Sequence, residues 1–287
     1  MEDQEPVFDY IAENYDKTRG NLDEMELKVL LNALKNCQNI LEIGAGTGRI
    51  MKPLQDHGLD ITGVDISKKM LQKASEKGLN HLVVGNATSL PFLDKSFDAV
   101  ITVHVFHLIN DLDRVFTEAS RVSRKYILTF VRERKQIDSK LPNRRSDMFD
   151  VAREVASRYG YSIEPGERIH NRTEGELIRR FPPDEKIKVR EYTRRTNPEN
   201  FIERMRYSSR FVKMFSRIPE EDISKIFSDT KKELKKLNIK PVETVIYEYL
   251  AIWYPDNMEK RILEHKGDNL RSESESNLKT QKNIKIA

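Results

Sequence analysis

"ILEIGAGTGRI", Ile40–Ile50, sets three glycines into five positions directly after an apolar run that holds a single acid, Glu42. Such a run closed by such a cluster reads as a buried strand turning sharply into a helix. A glycine turn at that junction brings backbone N–H groups close to a ligand where a side chain would block access. The ligand is either a phosphate or something bulkier. The spacing Gly44-x-Gly46-x-Gly48 is one residue shorter than the dinucleotide pattern, and an acid, Asp65, ends the next β-like run in "GVDIS". A carboxylate at that strand end is placed to accept both hydroxyls of a ribose, which makes adenosine-containing ligands the leading class. "VVGNATSLPF" then puts Asn86 and Ala87 after a third run, where an amide or a backbone N–H can read an adenine edge. Asn86 also suits an ordinary turn, and Asp65 a helix cap.

Working outward, "NILEIG", "DITGVD", "HLVVG", "FDAVITV" and "KYILTFV" read as strands, with helix-type periodicity between them. Apolar runs alternating with helices indicate parallel βαβ units buried on both faces. From about residue 132 to 239 the sequence turns charged and mostly helical, with helices expected at Ser146–Tyr159, Thr173–Arg180, Pro198–Ser209 and Pro219–Leu237 and a strand in "EKIKVREYTRR". "ETVIYEYLAIWY", Glu243–Tyr254, alternates and is rich in β-branched and aromatic residues, so it reads as a late strand returning to the sheet. Beyond Pro255 no packable face is visible, and residues 256–287 are expected to be a disordered tail.

Composition narrows the function classes. The chain has 287 residues, 38% of them hydrophobic, enough for a sizeable core. It lacks an apolar stretch of the ~18 residues needed to span a membrane, and its N-terminus is acidic where a secretory leader is basic. A cytoplasmic protein without membrane partners is therefore expected. Cys37 is the single cysteine, which excludes an internal disulfide and a thiolate-rich metal site. A net charge of +4 is a small excess within a chain that is 33% charged, and is weak evidence for a nucleic-acid partner.

Together, "LEIGAGTGR", "GVDIS", "GNATSLPFLDKSFDAV" and "VHVFHLINDL" resemble the ordered motifs of the class I S-adenosylmethionine-dependent methyltransferases, in particular their small-molecule-type subgroup. The resemblance covers roughly residues 7–131. It implies an α/β fold, a doubly wound, seven-stranded, mostly parallel Rossmann-like sheet with a helical insertion. It divides the chain into N-terminal lid helices (1–38), a cofactor-binding core (39–131), a helical substrate cap (132–239), a closing strand (240–255) and the tail. The cofactor implied is S-adenosyl-L-methionine. By the same resemblance Glu42 orients the cofactor end of the pocket, Gly44 and Gly46 face its methionine portion, Asp65 holds the ribose and Asn86–Ala87 meet the adenine. Ala45, Ile66, Met70 and His104 belong to the surroundings of that site. "FDYIAENYDKTRG" looks like the lid helix, with Tyr15 and Arg19 closing over the cofactor carboxylate. One departure is the missing Pro-Gly-Gly turn before the fifth strand, where the chain reads "RVSRKYILTF".

Three readings of function follow: a methyltransferase for a small molecule, an RNA methyltransferase using the basic stretch 179–217 as its platform, and a non-catalytic cofactor-binding module. Phe201, Met205, Phe211 and Phe215 recur at near-helical spacings, which favours an amphipathic cap over an RNA platform. His107 is the weak candidate for a general base. A histidine beside an apolar strand end is more often packing, and methyl transfer from a sulfonium does not require a base.

Overall fold

The computed structural model describes residues 22–103, 105–109, 111–136, 144–163, 174–197, 218–237 and 241–263, with Ala12, Asp16 and Phe215. Seven strands form one sheet: β1 (Asn39–Ile43), β2 (Asp60–Asp65), β3 (Leu82–Val84), β4 (Phe97–Thr102), β5 (Ser123–Gln136), β6 (Glu185–Thr196) and β7 (Val242–Trp253). Their order is β3-β2-β1-β4-β5-β7-β6. The first five are mutually parallel, and β7 lies antiparallel between β5 and β6. This is the doubly wound, mostly parallel, Rossmann-like arrangement that the sequence implies.

Helices cover both faces. On one face α1 (Glu24–Leu34), α2 (Met51–Asp56) and α3 (Lys68–Glu76) bury Leu30, Leu34, Leu54, Leu71 and Ala74 against Ile40, Ile101 and Leu128 of the sheet. On the other, α4 (Leu112–Val122) and α6 (Glu174–Arg180) pack around Phe116, Phe181 and the fully buried Trp253, whose indole N–H donates to the Phe181 carbonyl at 3.0 Å. Local sequence sets the helix starts: Asp23 and Glu26 form a reciprocal capping box at α1, Ser67 caps α3 and Asp111 caps α4. A third cluster, separate in sequence, joins α5 (Arg144–Arg158) and α7 (Glu220–Lys236) through Met148, Val155, Ile226 and Leu234, with Phe215 among them.

The structure departs from expectation in three places. Residues 132–239 are more than a helical insertion: β5 continues to Gln136, and β6 joins the sheet as its edge strand. β6 is the strand expected in "EKIKVREYTRR", and the Lys and Arg along it are the usual protection of an exposed edge. Residues 255–263 form a helix, α8, instead of beginning a disordered tail. Met258 and Ile262, four apart and therefore on one face, are buried in the core, while Asp184 accepts hydrogen bonds from the Tyr254 backbone, Asn257 and Arg261. In place of the missing Pro-Gly-Gly turn, α4 runs straight into β5 at Ser123, and a bulge opposite Phe97–Ala99 absorbs the extra residue. The expected helix Pro198–Ser209 and residues 264–287 lie outside the described residues.

Candidate functional site

The C-terminal ends of β3, β2, β1 and β4 lie side by side, and the loops leaving them carry the motif residues. Gly44, Gly46 and Gly48 all have positive φ, at 73°, 55° and 78°. Each has a different neighbour. A Cβ on Gly44 would overlap the side chain of Val105 in the loop after β4, and one on Gly48 would overlap Leu79. A Cβ on Gly46 would meet only the Gly44 carbonyl oxygen, at 3.9 Å. Two glycines therefore make room for packing, whereas Gly46 borders open space.

Those differences separate two substitutions. Gly44→Ala is expected to lower the stability of the ligand-free protein by about 2 kcal/mol or more, from left-handed strain plus the clash with Val105. Gly46→Ala carries the strain alone, about 1–2 kcal/mol, and intrudes on the ligand volume. Urea unfolding paired with calorimetric titration of S-adenosylmethionine checks this. Equal effects of both variants on both measurements would contradict the assignment.

Asp65, at the end of β2, holds the loop together. One carboxylate oxygen accepts from the Gly46 N–H at 2.8 Å and the other from the Ser67 N–H at 2.8 Å, so the same side chain braces the glycine turn and the start of α3. Gly44 and Ala45 donate to the Val64 carbonyl at 2.7 and 3.1 Å. Gly63 is equally constrained, since a Cβ there would come within 2.8 Å of both Ala45 Cβ and Met51 Sδ.

Glu42 lies beneath the loop, 2% exposed. Burial pushes its carboxyl up to about 8, and the charge of Asp65 adds to that rise; Arg49 and a backbone hydrogen bond from Met51 pull it down. Its Oε2 is buried with no hydrogen-bond partner among the described residues. An orphaned buried carboxylate oxygen beside an open glycine suits a ligand that brings a positive charge.

Other motif residues take quieter positions. Ala45 and Met70 are buried, and Ile66 and Ala87 are half-buried. The Asn86 side-chain oxygen accepts from both the backbone and the hydroxyl of Thr88 at 2.9 Å, closing its own turn. That oxygen is committed to the loop, which leaves the side-chain NH2 and the backbone for any ligand. The segment after β4 forms a tight turn at Phe106–Leu108, with Val105, Phe106 and Ile109 buried and Phe106 stacked on Phe116 at 4.7 Å. The backbone of His107 belongs to this turn. Tyr15, Arg19 and His104 lie outside the described residues.

Two arrangements escaped the sequence reading. Asp16 accepts from the Thr47 hydroxyl at 2.6 Å and pairs with Lys77 Nζ at 2.6 Å, while Lys77 also donates to the Thr47 carbonyl at 2.7 Å. Asp16 is thereby fastened to the glycine loop. Farther along the same sheet edge, Glu248 of β7 is fully buried between Arg132 of β5 (2.5 Å) and Arg190 of β6 (2.6 Å), with Glu26 of α1 at 3.3 Å from Arg132. Arg190 also pairs with Asp23. The available signal was charge inside three β-type runs: Arg132 in "TFVRER", Arg190 in "KVREY" and Glu248 in "IYEYL".

Comparison with known proteins places a methyltransferase domain at residues 41–126. A demethylmenaquinone methyltransferase of Thermotoga maritima is 38% identical over 136 residues, covering 42% of this chain and 56% of that protein. A phosphatidylethanolamine N-methyltransferase of Cereibacter sphaeroides is 38% identical over 93 residues, covering 30% of this chain and 45% of that protein. The chain spans about half the length of the curated relatives it matches. Among solved structures, an S-adenosylmethionine-dependent methyltransferase of Thermotoga maritima aligns over 86% of this chain and 99% of its own, with 21% identity and a TM-score of 0.44.

Proposed function

We propose, from the premise that residues 41–126 are a class I methyltransferase domain, that this protein transfers a methyl group from S-adenosylmethionine to a small-molecule acceptor. When bound, that cofactor supplies a methyl group already made electrophilic by its sulfonium. The chain's part is to hold, orient and exclude water. The observation that carries the reading is the trio at adjacent strand ends: Gly46 borders open space, Asp65 braces the loop, and a Glu42 carboxyl oxygen is buried with no hydrogen-bond partner among the described residues. Relatives that act on a quinone precursor and on a phospholipid support a non-nucleic-acid acceptor. Three of the five basic residues of β6 support it too. Lys186 pairs with Glu133, Lys188 with Glu191 and Arg190 with Glu248, so these cations are neutralised within the protein instead of forming a phosphate-binding stripe.

Glu42 offers the test. Its folded-state value is raised, so the stability it contributes is fully present below about 4.5 and is lost as pH rises through about 8. The ligand-free protein is expected to become less stable toward urea from pH 5 to 8, and Glu42→Gln to flatten that slope. Binding a cationic cofactor favours the carboxylate, so calorimetry at pH 7 in buffers of different ionisation enthalpy should register one site per chain and net proton release. Cofactor binding without proton release would remove Glu42 from the site. No saturable binding at all would end the methyltransferase reading.

A further inference from the structure

Beyond the end of β4, the strands β5, β7 and β6 continue together, and cross-strand register aligns their side chains in rows on the α1-facing side of the sheet. One row is Arg132–Glu248–Arg190, and the next is Arg134–Ile246–Tyr192. Arg194 follows on the same face, opposite Thr244. The first row is internally compensated, since Asp23, Glu26 and Glu248 set three carboxylates against two guanidiniums.

Arg194 differs. It is half-buried, and among the described residues no carboxylate lies within ion-pair distance of it. Its guanidinium carbon lies 5.7 Å from the centre of the Tyr192 ring, and Nη2 donates to the Tyr192 hydroxyl at 3.2 Å. Arg190 approaches the same ring, at 5.4 Å. A hydroxyl that accepts from a guanidinium has its own proton left to donate, and Arg194 retains further N–H groups. The pair presents donors beside an uncompensated positive charge. That chemistry fits a phosphate or carboxylate.

Topology fixes where such an anion would lie. β6 runs parallel to β5 and β1, so Tyr192 and Arg194, near its C-terminal end, stand on the same sheet edge as the glycine loop. Three strand spacings separate β6 from β4, about 14 Å at ~4.8 Å each, and the register sets the Tyr192 and Arg194 rows five and seven residues past the end of β4, about 16 and 23 Å further along at ~3.3 Å per residue. Resting on the methyltransferase reading above, we propose that Tyr192 and Arg194 form an acceptor subsite for one anionic group. The acceptor is accordingly an elongated small molecule with its phosphate or carboxylate remote from the methylated atom.

The experiment titrates the full chain with inorganic phosphate and, separately, acetate against sodium chloride at matched ionic strength, following the thermal midpoint. Wild-type protein should show a saturable response to at least one anion, with apparent affinity falling by about tenfold or more in Arg194→Gln and recovering in part in Arg194→Lys. Tyr192→Phe should weaken it by a smaller factor. S-adenosylmethionine affinity within about twofold of wild type shows that the variants are folded, with the first site intact. If phosphate and acetate act no differently from chloride, or act equally on Arg194→Gln, the subsite is overturned while the methyltransferase reading stands. If S-adenosylmethionine fails to bind wild type but the anion response still tracks Arg194, the methyltransferase reading falls instead. Two further arms use phosphatidylglycerol vesicles and a tRNA pool at 150 mM salt. Arg194-dependent capture by either one, with no response to the free anions, would overturn the small-molecule assignment.

Discussion

Glu248→Ala is expected to destabilise the protein by about 3–5 kcal/mol, the range for removing one partner of a buried ion pair. Glu248 is completely buried and bridges two guanidiniums across three strands. Truncation leaves Arg132 and Arg190 as like charges in the same row, with Glu26 and Asp23 on α1 as their remaining partners. Burial and the neighbouring Glu248 both push the Glu26 carboxyl up, so losing Glu248 relieves Glu26 in part and keeps the loss inside this range. The network need not stabilise the fold relative to an apolar alternative. Replacing Arg132, Glu248, Arg190 and Glu26 together by Met, Leu, Met and Gln is expected to cost less than Glu248→Ala alone, because no buried charge is then stranded and the new glutamine can keep the capping box with Asp23. Urea unfolding with unchanged slope measures both. A loss below about 1 kcal/mol for Glu248→Ala would show that water reaches the row.

The second large effect belongs to Asp65→Ala, expected to weaken S-adenosylmethionine binding by at least about 10²-fold. The carboxylate accepts two backbone N–H groups that define the glycine loop, and a charge-assisted hydrogen bond contributes about 1.5–3 kcal/mol, or roughly 10–150-fold. Loss of the proposed ribose contact adds to loss of the brace. Asp65→Asn separates the two. Its amide oxygen can still accept from one backbone N–H, while its NH2 opposes the other, so it should fall between wild type and alanine in the stability of the ligand-free protein. If Asp65→Ala unfolds like wild type yet binds poorly, the ribose contact dominates. Wild-type affinity in Asp65→Ala would refute both roles.

The interlock of Asp16 with Thr47 and Lys77 shows how a site depends on parts of the chain that no local pattern connects. Thr47 sits inside the glycine motif and Lys77 follows α3, yet only folding brings Asp16 within 2.6 Å of each. The lid reading singled out Tyr15 and Arg19 and passed over the residue next to Tyr15. Charge on a mixed helix gives no sign of its partner, because Coulomb attraction depends on distance in space and not along the chain.

The strand pattern, the glycine turn and the acid ending β2 could be read from residues 39–102 alone, because each is set by neighbours a few positions away: burial period, backbone freedom at glycine and turn chemistry. Roughly the same held for α5, α6 and α7, whose periodicity and end signals are local. The sequence also left visible clues that it could not interpret, namely the charges within the β-type runs "TFVRER", "KVREY" and "IYEYL". Tertiary structure alone paired them, through the register that sets Arg132 and Arg190 opposite Glu248 across separations of 116 and 58 residues. It alone distinguished Gly46, which borders open space, from Gly44 and Gly48, which admit Val105 and Leu79. Residues 255–263 became a helix for a similar reason: Met258 and Ile262 form an apolar face only two residues wide, too small to stand out in sequence, and it acquires its stability from the core already built by Phe116, Phe181 and Trp253.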